Sequence, residues 1–249
     1  MQQRDWDGKT YDRISGTMEA LGLEVLDRLP LTGEETVLDA GCGSGRITQA
    51  LIDRLPRGRV IGVDQNESMV AAARERLPAG TDLRVSDLLD LDLGEPVDAI
   101  LSTATFHWIP DHERLFARLH AALTPGGRLL AQCGGEGNID VLRGQAHTVM
   151  AREPYAAHFA SFAPPWNYAG AEVTRERLLA AGFAQAQAWL VAAPRRPEEP
   201  RTFLSAIVLE PHVQHLPVEL RDPFMDEVMD VLEEPVTVDY VRLNIDAVA

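Results

Sequence analysis

The sequence predicts an α/β protein built on a parallel sheet, and three observations carry that expectation. From residue 36 to about residue 133, short β-branched runs alternate with amphipathic helical patterns, the spacing of βαβ units. The first of these runs ends in a bare turn, VLDAGCGSGR at Val37 to Arg46, that opens a helix. Read to its end, the chain offers seven strands without an internal repeat or a low-complexity tail.

TVLD at 36–39 is the first strand, and Ile47, Leu51 and Leu55 then recur every four residues to stripe a helix. RVIGVD at 59–64 is the second strand. Met69, Ala73 and Leu77 mark the next helix, and the short strand LRVSD follows at 83–87. VDAILS at 97–102 runs into a loop. Leu115, Leu119 and Leu123 stripe a helix that the breaker TPGG, 124–127, ends, and GRLLAQC supplies strand five. Beyond Gly134 the pattern is more helical and less regular until RERLLAAGF at 175–183 and the alternating AQAQAWLV at 184–191 read as a helix and a strand. PRRPEEP at 194–200 is a turn or short linker. Leu220, Phe224, Val228 and Leu232 then space out a helix before the closing strand VTVDYVRLNI at 236–245.

Composition excludes several function classes. Thirty-eight acidic side chains against 23 basic ones give a formal charge of −15, which repels phosphate backbones and anionic lipid, so nucleic acid is a poor partner. The N-terminal MQQRDWDGKTYDRISG lacks an apolar h-region, and no stretch approaches the roughly 20 apolar residues that span a bilayer. A soluble, cytoplasmic protein without a membrane partner is expected. Cys42 and Cys133 have no metal-type spacing, and Cys42 reads as a small loop filler.

A strand that ends in a glycine-rich turn and opens a helix places unpaired backbone N–H groups beside a ligand, and the missing Cβ atoms let it approach. The dinucleotide fingerprint is G-x-G-x-x-G, whereas Gly41, Gly43 and Gly45 give G-x-G-x-G with Arg46 in place of the third glycine. Asp39 precedes the turn. A carboxylate there suits an ammonium or sulfonium better than a pyrophosphate, which points to a zwitterionic ligand. Asp64, at the end of the second strand, is placed to accept both hydroxyls of a ribose or to cap a helix. Asp87 ends the third strand, where it accepts from an adenine amino group or closes a turn.

Taken in order, VLDAGCGSGRIT, VIGVDQNESMVAAARERL, VSDLLDL, VDAILSTATFHWIPD and LTPGGRLL resemble the successive motifs of the class I S-adenosylmethionine-dependent methyltransferases. The resemblance covers about residues 10–135, and AGF at 181–183 continues it. WDGKTYD near the start, FHWIPDHERLF and the terminal DYVRLNI are similar to the trans-aconitate methyltransferase group, whose acceptors are small carboxylic acids. The resemblance implies a Rossmann-like seven-stranded sheet, its last strand antiparallel, with helices on both faces. One domain over 1–249 follows, with a cap segment at 1–30, a cofactor-binding core at 31–134 and acceptor-side lid or insertion segments at 135–170 and 195–235. It further implies S-adenosylmethionine as cofactor, S-adenosylhomocysteine as product and a small-molecule acceptor.

Residue by residue, the resemblance puts Asp39, Gly41 and Gly43 against the methionine portion and Asp64 against the ribose. Asp87 and the Leu88 backbone would meet the adenine, and Gln65 and Met69 would flank the adenosine, unless Met69 is core packing. Ser102 to Trp108 would pass beneath the sulfonium and floor the acceptor pocket. Trp6 and Tyr11 lie in the segment that folds over the cofactor; Tyr11 would bond its carboxylate and Trp6 close the pocket, or both pin the N-terminal helix.

Methyl transfer from a sulfonium is an in-line displacement that needs alignment and desolvation. A carboxylate acceptor is ionised at neutral pH and needs no base; a phenol or an ammonium would. His107 is the base candidate if one exists, or else a packed histidine that orients Trp108. Trp166 and Tyr168, in FAPPWNYAG, wall the acceptor pocket or pack under an insertion. PPW there resembles the signature of amino-methylating enzymes but lies too far past strand four to serve as one. Arg143, Arg152, Arg175 and Arg177 are equal candidates to anchor a substrate carboxylate. His212 and His215, as HxxH, read as a surface helix face, and no metal is expected. O-methylation of a carboxylate is the leading expectation, ahead of N- or C-methylation. An NAD-dependent oxidoreductase and a non-catalytic cofactor-binding module are the readings from other classes.

Overall fold

The computed structural model describes residues 16–249. Val37, Leu38 and Ala40 are fully buried in β1 (Thr36–Ala40), as a strand with parallel neighbours on both sides and helices over both faces requires. β1 pairs in parallel with β2 (Arg59–Asp64) and with β4 (Val97–Thr103). Outward from β2 lies β3 (Asp82–Val85), and outward from β4 lies β5 (Leu123–Gly134), both parallel. β7 (Val241–Val248) runs antiparallel to β5 and separates it from β6 (Gln185–Ala192), giving the order β3-β2-β1-β4-β5-β7-β6. Strand order reverses between β1 and β4, so their carboxyl ends open a crevice in which α/β proteins bind ligands.

The helix Arg46–Arg54 leaves the turn after β1 and buries Ile47, Thr48 and Leu51, packing with Val25 and Leu26 of the helix Gly16–Leu26. After β2, the helix Glu67–Arg76 is capped by Asn66, whose side chain accepts from the Ser68 and Met69 N–H groups. On the other face, His112–Ala121 packs Leu115, Phe116 and Leu119 under Ile100 and Leu129.

Three boundaries differ from expectation. The stripe through Leu119 does not carry Leu123 into the helix; Leu123 pairs with Val97 and opens β5. TPGG therefore ends no helix but forms an irregularity inside β5, after which Arg128 resumes the register opposite Ala99. The last strand begins at Val241 rather than 236; of the residues before it, Val238 makes an isolated bridge to Arg195.

By contact the chain divides into two compact units. One runs through Glu136 and takes in Asn167–Val191 and Arg242–Ala249; it holds the sheet core. Gly137–Trp166 and Ala192–Val241 make the smaller unit. Within it, the helices Asp140–Met150, Glu210–His215 and Val218–Val231 enclose Tyr155, Phe159 and Phe224, with Phe224 edge-on to Tyr155 at 5.4 Å. Here the expected surface face of HxxH is corrected: His212 is 3% exposed among aromatic rings, whereas His215 is exposed and bonds the His158 carbonyl at 2.9 Å. Among the described residues no helix is long and apolar enough to cross a membrane.

Candidate functional site

The turn after β1 owes its path to its glycines, since Gly41, Gly43 and Gly45 have φ of 85°, 52° and 83°, the left-handed region that other residues enter at a cost. Each glycine answers a different need. A Cβ on Gly41 would lie 2.1 Å from Thr105 Oγ1, and one on Gly45 would press on Leu77 and Ala73 of the next helix. At Gly43 a Cβ would meet nothing within 4 Å, so that glycine faces open space.

The amides of the turn overturn one expectation. Gly41 and Cys42 both donate to the Val63 carbonyl, at 2.8 and 3.0 Å, and Gly45 donates to the Cys42 carbonyl at 3.0 Å. Gly43 donates to Asp64 Oδ2 at 2.9 Å. These four N–H groups are engaged within the chain, so they are no phosphate cradle of the kind a dinucleotide turn presents. What this turn offers a ligand is close approach without side chains.

Two carboxylates lie under it. Asp39 is 1% exposed, and its Oδ2 accepts the Thr48 hydroxyl at 2.7 Å. Burial pushes its pKa up to about 7, with the Thr48 bond opposing and the Asp64 charge reinforcing the rise. Asp64 is raised as well, by burial first, although its Oδ1 takes the Asn66 N–H at 2.8 Å. Two anions close together in a shielded crevice are costly, and a ligand that carries positive charge relieves that cost.

The opposite wall comes from the end of β4. Asp39, Gly41, Gly43, Thr103 and Ala104 line one cavity, with Glu19 and Arg46 at its side. Glu19 and Arg46 form an ion pair. Ala104 has φ of 55°, a strained conformation for an alanine, and its N–H is held by the Gln132 carbonyl at 2.7 Å. Sequence reasoning missed Glu19 and Arg46 as lining residues, whereas Thr103 and Ala104 fall within the stretch Ser102 to Trp108 that the resemblance put there. No sequence pattern marks a strained alanine.

The other expected site residues fall as follows. Ser102 is 1% exposed and its hydroxyl donates to the Ala40 carbonyl at 2.6 Å, which ties β4 to β1. Gln65 is exposed beyond β2, and Met69 is buried at 6% in the next helix. Asp87 is exposed and caps a short turn through the Leu89 N–H at 2.9 Å, with Leu88 buried behind it. His107 is 8% exposed, and its Nδ1 accepts the Gly134 N–H at 3.2 Å. An imidazole so engaged carries its proton, when neutral, on Nε2, so its basic nitrogen is the one that holds the Gly134 N–H. Trp108 and Tyr168 flank it, at ring-centroid distances of 4.9 and 5.8 Å. Trp166 belongs to the smaller unit. Trp6 and Tyr11 lie outside the described residues. Both cysteines are buried free thiols, Cys133 pushed up to about 12 by burial and Cys42 raised for the same reason. No cluster among the described residues could hold a metal ion.

This strand order, with a bare turn after the first strand and a carboxylate at the end of the second, defines the class of α/β methyltransferases that use S-adenosylmethionine. A methyltransferase domain family matches residues 37–127. A trans-aconitate 2-methyltransferase of Methylobacterium nodulans is 33% identical over 193 residues, 76% of this chain and 68% of that protein. That of Rhizobium rhizogenes is 28% identical over 236 residues, covering 92% of this chain and 90% of the relative. The match to the Variovorax paradoxus enzyme, 40% identical, spans about half of each chain, 51% and 49%. In fold, the chain is similar to phosphoethanolamine N-methyltransferase 2 of Haemonchus contortus, solved with S-adenosyl-L-methionine, at a TM-score of 0.63, with 21% identity and coverage of 97% of this chain and 56% of that one. The chain belongs to the class I S-adenosylmethionine-dependent methyltransferases, in their trans-aconitate methyltransferase-like group. S-adenosylmethionine is accordingly its methyl donor.

Proposed function

We propose that this chain methylates a carboxylate oxygen of a small polycarboxylic acid, of which trans-aconitate, the acceptor in the relatives' names, is the representative. The observation that carries the reading is the Asp39–Asp64 pair beneath a turn whose Gly41, Cys42, Gly43 and Gly45 amides are already engaged. That site favours a cationic nucleoside and disfavours a pyrophosphate.

S-adenosylmethionine, when bound, supplies a methyl group on a positively charged sulfur, which the carboxylate oxygen displaces to give a methyl ester and S-adenosylhomocysteine. The chain's residues bind and align. Asp64 holds the ribose hydroxyls with the lone pairs its backbone donors leave, and Asp39 faces the ammonium end, both ionised once positive charge is near. Gly41 and Gly43 admit the methionine portion, Gln65 and Met69 flank the adenosine, and Asp87 with Leu88 meets the adenine. His107 holds the Gly134 backbone, while Trp108 and Tyr168 form apolar walls that exclude water from the acceptor. No proton moves at the attacking oxygen, so no base is assigned.

The test is mass spectrometry of products from a panel of acids, phenols and amines with S-adenosylmethionine. A gain of about 14 daltons on tricarboxylates or dicarboxylates, and not on phenols or amines, is expected, since only the carboxylates are ionised without a base. Methylation of amines alone would replace this reading with N-methylation.

A further inference from the structure

The residue that breaks the dinucleotide fingerprint lines the cavity beside the turn. Arg46 stands where that fingerprint has its third glycine, at the start of the helix Arg46–Arg54, and shares the cavity wall with Asp39, Gly43 and Thr103. The helix Gly16–Leu26 brings Glu19 to the same wall. Its approach is close, since a Cβ on Gly22 would lie 2.6 Å from Ile47 Cδ1 and 3.7 Å from Thr103 Oγ1. Three residues before Gly22, Glu19 Oε2 pairs with Arg46 Nη1. The two side chains are 37% and 24% exposed. A partly exposed ion pair contributes little to stability, so stability alone does not account for its place on a cavity wall.

The charges around the cavity match an amino-acid tail only when Arg46 is counted. Such a tail carries an ammonium and a carboxylate. Asp39 and Glu19 suit the ammonium, and both repel the carboxylate, as does Asp64 behind the Gly43 N–H. Among the described residues that line the cavity, Arg46 is the one cation. A guanidinium presents its N–H donors in a planar fork that matches a carboxylate bidentately, and its several donors allow it to hold Glu19 and a second carboxylate together.

We propose that Arg46, held by Glu19, reads the α-carboxylate of S-adenosylmethionine and so makes the site specific for an intact amino-acid tail over decarboxylated or tailless adenosyl compounds. The proposal rests on the placement of the methionine portion beside Gly41 and Gly43 given above. Asp39 then takes the ammonium end and Arg46 the carboxylate, so each end of the zwitterion meets an opposite charge in one cavity. Glu19 is a positioning residue: it acts through Arg46, whose guanidinium it orients from the neighbouring helix.

The experiment is calorimetric titration of the full chain with S-adenosylhomocysteine, with its decarboxylated analogue, which keeps the amine, and with methylthioadenosine, which lacks the tail. Wild type should bind S-adenosylhomocysteine about tenfold or more tighter than the decarboxylated analogue. Arg46→Gln should lose a similar factor for S-adenosylhomocysteine and bind the decarboxylated analogue at least as well as wild type, so that the preference collapses. Arg46→Lys, which keeps the charge without the fork, should recover part of it. Glu19→Gln should weaken S-adenosylhomocysteine while keeping the preference for the carboxylate, because Arg46 remains. Affinity for methylthioadenosine should stay within about threefold of wild type in every variant, which a general loss of structure would not allow. An undiminished preference in Arg46→Gln, or equal losses there for S-adenosylhomocysteine and methylthioadenosine, would overturn the proposal. If wild type itself binds methylthioadenosine as tightly as S-adenosylhomocysteine, the placement of the methionine portion fails first and takes the proposal with it, and that control tells the two failures apart.

Discussion

Asp64 Oδ2 accepts the Gly43 N–H at 2.9 Å, so the carboxylate that ends β2 also fixes the turn that follows β1. A single side chain thereby ties the end of β2 to the turn after β1. The turn's glycines should then respond differently to the same substitution. Gly41→Ala, at φ 85° and against Thr105, should destabilise the fold by about 2–4 kcal/mol in denaturant titrations. Gly43→Ala, with open space around it, should cost only about 1–2 kcal/mol of stability but a larger share of cofactor affinity. Equal stability losses at the two positions would contradict the geometry.

Asp39 makes ligand-free stability fall with rising pH. Its folded-state pKa is about 7 against an ordinary 3.8, so the folded state holds the proton more tightly than the unfolded chain. The resulting stabilisation is complete below about pH 4 and is lost as pH rises through 7. Thermal melts between pH 4 and 8 should show this slope in wild type and a flatter one in Asp39→Asn, which still accepts from Thr48.

His107 should prove dispensable as a base. Its Nδ1 serves Gly134, so His107→Asn, which keeps an acceptor near that position, should hold kcat within about tenfold and leave the pH–rate profile the same as that of wild type. His107→Leu strands the Gly134 N–H and should cost about 1–3 kcal/mol of stability. Loss in His107→Asn of a rising limb that wild type shows would restore the base role.

Ser102 offers a separate control. Ser102→Ala removes the bond to the Ala40 carbonyl and should lower stability by about 1 kcal/mol while leaving S-adenosylhomocysteine affinity as it was. A selective loss of affinity would return Ser102 to the cofactor surface.

The fold was legible because its signals are local and repeated. β-branched runs, helical stripes and one glycine turn place the sheet, and Ile47 and Leu51 face the core as their spacing requires. Leu123 misled because a four-residue period continues by chance into a residue that pairs with Val97 across the sheet. The site was legible in its residue types but not in its bonds. Sequence spacing puts Gly43 and Asp64 near each other, yet only the fold reveals that the glycine's N–H is consumed by that carboxylate. Burial was equally hidden at His212, since HxxH on a short helix says nothing about what covers it, and the rings that do come from Phe159, Phe162 and Trp166, far away in sequence.

Calorimetric titration of the full chain and of Asp64→Ala with S-adenosylhomocysteine, with NAD as the control ligand, tests the central claim most directly. Wild type should bind the nucleoside with an affinity of about micromolar order, Asp64→Ala should lose at least about tenfold, and NAD should give no heat. Undiminished binding by Asp64→Ala, or heat with NAD and none with S-adenosylhomocysteine, would contradict it.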